Sequence, residues 1–137
     1  NTDSEAIKDV ENIVNALGSK SISTDPETHD QAVALISHLP VFISAALIKT
    51  VNSEKEENLV NLAKAIASSG FKDTSRVGGG NPNLGVAMAT NNTAAILESL
   101  KSYRTAIDQL EEMIRKKQWG RLEKELKDTQ SKRSAFT

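Results

Sequence analysis

The 137-residue sequence has no cysteine, only two histidines and a formal net charge of −1. Without cysteine there is no disulfide framework and no thiolate metal site, which fits a reducing, cytoplasmic compartment. The two histidines, His29 and His38, lie nine residues apart. On one helix that spacing is a rotation of about 900°, so they point to opposite faces and cannot form the i, i+4 pair of a zinc helix. The near-neutral charge gives no basic face for nucleic acid or for an acidic membrane surface. No apolar run approaches the roughly 20 residues of a membrane span, and no signal peptide is visible. No strand pattern, internal repeat or low-complexity tract follows the first 25 residues.

What the chain does contain is helical patterning. Asp3 or Ser4 can cap a helix bearing Ile7, Val10, Ile13, Val14 and Leu17, and Gly18 ends it. Lys20 to Thr24 is short, hydroxyl-rich and expected to be extended. One helix and one strand have no sheet to join here, so residues 1–25 read as the remnant of a preceding α/β domain. The start at Asn1, without methionine, is expected of a trimmed or partial chain.

Residues 26–137 read as an all-α domain. Asp25-Pro26-Glu27 combines an N-cap, a proline in the first turn and a first-turn acid. Pro40 interrupts the apolar pattern that follows, so two helices, or one kinked at Leu39-Pro40, are expected. The stretch from Val41 to Ile48 is expected to be buried on most sides. Helix resumes at Leu59 and stops at Gly70, and Asn81-Pro82 starts another short helix. Ile96, Leu100, Tyr103, Ile107, Leu110 and Ile114 then form a heptad seam on the longest helix. Such a seam needs a partner, in this chain or in a second copy. Trp119-Gly120 is expected to break that helix, with Trp119 as a core anchor. Leu122 and Leu126 carry a weaker C-terminal helix, and a frayed tail runs from Ser131 to Thr137.

Gly70 to Pro82 holds four of the seven glycines and, in its middle, Arg76. Glycine lets backbone approach a ligand, and the guanidinium fork matches a carboxylate or phosphate. An anion site is therefore expected, although a salt bridge to Asp73 would also account for Arg76. Gly78-Gly-Gly80 follows no strand and lacks dinucleotide and P-loop spacings, so a flexible inter-helix loop is the simpler reading. Ser37 and His38 place two polar groups at the kink of an apolar helix. They form either a satisfied structural pair or a wall of a cleft. The residues alone give no catalytic constellation and no metal site. A non-catalytic homodimerising module is one coherent reading.

Four segments also carry a family resemblance. Glu27-Thr-His-Asp30, Ala34-Leu-Ile-Ser-His-Leu-Pro40, Gly70-Phe-Lys-Asp-Thr-Ser-Arg76 and Asn81-Pro82 resemble, in order and spacing, the prephenate/arogenate dehydrogenases. Residues 26–137 resemble that family's helical substrate-binding and dimerisation domain. Residues 1–25 resemble the last helix and strand of its NAD(P)-binding domain. The run from Val77 to Pro82 with Leu84-Gly85 is most similar to the cyanobacterial arogenate dehydrogenases.

The resemblance implies an NADP-linked oxidative decarboxylation of arogenate or prephenate in tyrosine biosynthesis, carried out by an intertwined dimer. It places the catalytic base and the cofactor turn in a domain outside this chain, so these 137 residues alone are expected to be inactive. It assigns Arg76 to a substrate carboxylate, Asp73 to orienting Arg76, and Ser37 and His38 to the cleft wall. Val41 and Gly85 stand where many members carry histidine and tryptophan; Val41 favours arogenate, and Gly85 leaves open what gates the cleft.

Overall fold

The structure, a computed structural model, describes residues 2–136; Asn1 and Thr137 lie outside them. Among the described residues every regular element is helical. Helix α1 (Ser4–Ala16) is N-capped by Asp3, whose carboxylate accepts from the Glu5 amide at 3.1 Å. Its apolar residues Ile7, Val10, Ile13 and Leu17 are all exposed. Residues 19–25 form no strand ladder and no helix.

Asp25 caps α2 (Pro26–Val33) through the Thr28 amide at 2.9 Å. A π-helical segment (Ala34–His38) joins α2 to α3 (Leu39–Asn52). The expected break near Pro40 is thus a widened turn inside one continuous helix. Pro40 has no N–H to return to Ile36, and its ring would crowd that carbonyl. A wide turn just before it relieves the conflict, with the Leu39 amide donating five residues back to Ala34.

That continuity corrects the reading of apolar runs. The unbroken Pro26–Asn52 helix, 27 residues, is long and apolar enough to cross a membrane by length and composition. It is not buried on most sides within the chain either; Ser44 is the buried residue of α3.

Helix α4 (Glu57–Ile66) leads into α5 (Ser69–Ser75), so Gly70 lies inside a helix instead of ending one. A 3-10 turn (Val77–Gly79) leads to α6 (Pro82–Asn91), capped by Asn81. Helix α7 (Thr93–Arg115) spans 23 residues. It ends at Arg115, and Lys117 just beyond is a non-glycine residue at φ 54°, so the break precedes Trp119. Trp119 and Gly120 open α8 (Trp119–Arg133), where Trp119 is 57% exposed and anchors no core. A short 3-10 turn (Ser134–Phe136) follows where fraying was expected.

The buried apolar core consists of Ala34, Ile96 and Met113. The heptad seam is covered at Ile96 but remains open at Ile107 and Ile114, 43% and 52% exposed. Accessible surface totals 11149 Å². A compact monomer of 14.8 kDa would expose about 7,000 Å². The fold therefore presents far more surface than it covers.

Candidate functional site

Local geometry fixes Arg76 from behind. The Gly78 amide donates to Ser44 Oγ at 2.8 Å, and Ser44 is 1% exposed. A Cβ on Gly78 would overlap the Ala45 backbone nitrogen and lie 2.5 Å from the Ser44 carbonyl carbon. Only glycine lets the turn seat on the small residues of α3. Gly78, the first of the three, is thus constrained by packing, whereas Gly79 has nothing within 4 Å of where a Cβ would lie.

Arg76 caps the C-terminus of α5, where the helix dipole favours a cation. Arg76 and Asp73 are both exposed. Among the described residues, no hydrogen bond or ion pair joins them, and none engages the Arg76 guanidinium. The salt bridge considered from sequence is thus not formed among the described residues.

On the helix opposite, Ser37 precedes Ser44 by seven residues, two turns or about 10 Å along the axis. That places the two serines near one face, the face on which the Val77–Gly79 turn sits. Ser37 is exposed and His38 half-buried in the π segment. His38 Nδ1 lies 3.4 Å from Asn92 Nδ2, and the same nitrogen donates to the Asp30 carbonyl at 2.7 Å. Asn92 was missed in the sequence because its partners are 54 and 62 residues away. No hydrogen bond links Ser37 or His38 to Arg76 among the described residues. His29 pairs only with its neighbour Asp30, at 3.1 Å on the surface.

Two grooves flank this region. One of about 340 Å³ runs between α3, the glycine turn and α6; its walls include Val41, Phe42, Val77, Gly78, Gly85 and Met88. Within it, Val41 Cγ1 stands 4.0 Å from where a Cβ on Gly85 would lie. The second, about 670 Å³, is lined by Glu27, Asp30, Glu98 and Asn92, among others. Its three carboxylates would repel an anion; Arg76, Asp73, Ser37 and His38 line neither groove. No group of three or more metal-ligating side chains occurs among the described residues.

Comparisons with known proteins converge on one family. Residues 25–128 match the family described as prephenate dehydrogenase, dimerization domain. The chain is 28% identical over 109 residues to a prephenate dehydrogenase of Bacillus subtilis (strain 168), spanning 80% of this chain and 29% of that protein. The crystal structure of Synechocystis arogenate dehydrogenase superposes with a TM-score of 0.95 at 48% identity, covering 99% of this chain and 49% of the other. That of prephenate dehydrogenase from A. aeolicus, in complex with hydroxyphenyl propionate and NAD+, gives 0.89 at 23% identity, covering 99% and 47%. At that identity the last likeness is one of fold. The chain thus spans 29% to 49% of the length of these proteins.

Proposed function

The chain belongs to the prephenate dehydrogenase dimerization-domain family, and on that premise we propose that it is the substrate-binding and dimerising part of an arogenate dehydrogenase. The parent enzyme would oxidatively decarboxylate arogenate, or prephenate, on the way to tyrosine, in the cytoplasm. A nicotinamide cofactor, NADP in this reading, would accept the hydride. No residue of this chain is assigned to it, because Gly78 is committed to α3. The 48% identity to Synechocystis arogenate dehydrogenase supports arogenate as substrate.

In this reading Arg76 clamps a substrate carboxylate in a bidentate pair. Ser37 and His38 supply hydrogen bonds from the facing helix, and the Val41–Gly85 groove takes the apolar part of the ring. Asp73, three residues before Arg76, would contribute charge nearby. Residues 1–25 are the end of the nucleotide-binding domain, and the exposed face of α1 would pack on its sheet. Apolar surface on the Pro26–Asn52 helix and the α7 seam is covered by a second copy, not by lipid.

The observation carrying the proposal is that Arg76 is exposed and unpaired among the described residues, next to a turn seated on Ser44 of the helix that also carries Ser37 and His38. An arginine serving only as a structural salt bridge would be paired. The test is Arg76→Ala in an enzyme that includes the nucleotide-binding domain. Loss of substrate capture by about 2–4 kcal/mol, read in kcat/KM, is expected from an unpaired carboxylate. Unchanged kinetics would show that Arg76 is only structural.

A further inference from the structure

We infer that Asn92 is a positioning residue that holds His38 in the tautomer protonated at Nε2, so that this wall of the cleft offers a hydrogen-bond donor to a substrate oxygen. The assignment follows from what each atom can do. The Asp30 carbonyl can only accept, so the Asn92 atom 2.7 Å away must be the amide nitrogen. That nitrogen carries two hydrogens and offers no lone pair. Its second neighbour, His38 Nδ1 at 3.4 Å, must then accept. A neutral imidazole has one acceptor and one donor, which puts the proton on Nε2. Flipping the amide would set its oxygen against the Asp30 carbonyl oxygen.

Three further features point the same way. Asn92 is the N-cap residue of α7 yet makes no capping hydrogen bond; its side chain crosses to the π segment instead. The Asp30 carboxylate is turned to His29 Nδ1 at 3.1 Å, so it does not compete for His38. The second groove, where Asn92 lies, is acidic, whereas the Nε2 edge of the ring is the one Asn92 leaves free.

The role at the substrate rests on the function proposed above; the tautomer itself does not. Long-range proton–nitrogen NMR on the labelled 137-residue chain, at about pH 8 where imidazole is ordinarily neutral, reads it directly. His38 should show a protonated Nε2 and a bare Nδ1, with His29 as the internal comparison. Asn92→Ala should release His38 into a mixture, and Asn92→Asp, which accepts instead of donating, should move the proton to Nδ1. A native His38 protonated at Nδ1 overturns the inference whether or not the variants fold, and so does a tautomer unmoved in both. In the complete enzyme, Asn92→Asp should raise KM by roughly tenfold, one hydrogen bond to a charged group, with kcat changed less. If the tautomer is as stated but neither Asn92→Asp nor His38→Ala moves KM, the placement of His38 in the substrate cleft fails while the positioning stands.

Discussion

Gly78 and Ser44 are joined across 34 residues by a 2.8 Å hydrogen bond, and the missing side chain of one makes room for the other. Gly78→Ala should therefore cost about 1–3 kcal/mol through overpacking, on top of disturbing that bond. Ser44→Ala should cost about 1 kcal/mol, since it removes the acceptor from a part-buried amide. Because the two residues are in contact, the double variant should fall short of the sum of the singles. Urea denaturation of all four proteins measures this, and additive losses would show that the residues do not act together.

Val41 and Gly85 form a second close pair, on the wall of the apolar groove. An imidazole at position 41 would bring a polar group against open space above Gly85. In the complete enzyme, Val41→His should shift the ratio of kcat/KM values toward prephenate by roughly tenfold, about 1.4 kcal/mol. Steady-state kinetics with both substrates checks it; an unmoved ratio would remove Val41 from specificity.

Asp25 gives the fold an acid-sensitive start. The hydrogen bonds from the Thr28 side chain and then its amide hold the Asp25 carboxyl below its ordinary value. Its folded pKa is thus lower than its unfolded one. The ionised cap stabilises fully above the unfolded value and loses its effect as pH falls through the folded value. Asn can cap without titrating. Asp25→Asn should match the native protein near neutrality and lose less of its Tm between about pH 5 and about pH 3. Parallel acid losses in both proteins would mean that other carboxylates govern the response.

Local chemistry made several elements readable in advance. Asp25-Pro26 and Asn81-Pro82 start helices as their cap and proline geometry requires, and the α7 seam falls on the longest helix. The errors share a cause, namely that punctuation residues were read without their neighbours. Gly70 and Gly120 were taken as helix breakers, but each is the second residue of the helix that follows the break, which falls a few residues earlier. Gly78 looked permissive, and its real constraint is the close approach of the Ser44-Ala45 backbone on α3, a signal visible only when the two segments are paired. The Asn92–His38 contact has no local signature at all. Burial was overestimated for Trp119 and α3 because their apolar character serves surfaces that one chain leaves open.

Those open surfaces are of two kinds and should behave differently. The α1 face of Ile7, Val10, Ile13 and Leu17 belongs to an element with no substantial packing on the other described helices. The seam residues Ile107 and Ile114 lie on α7, the scaffold of the bundle. The surface beyond a compact monomer, about 4,000 Å² per chain, exceeds one chain's share of an obligate homodimer interface, roughly 1,000–2,500 Å², and leaves area over for the α1 face. Light scattering should therefore give twice the chain mass at micromolar concentration. A charge at a buried, unpaired interface position costs several kcal/mol, enough to split a dimer. Ile107→Glu with Ile114→Glu should yield a monomer, whereas Ile7→Glu with Ile13→Glu should leave the dimer intact and improve solubility. Dissociation by the α1 pair, with the α7 pair still dimeric, would exchange the roles of the two faces.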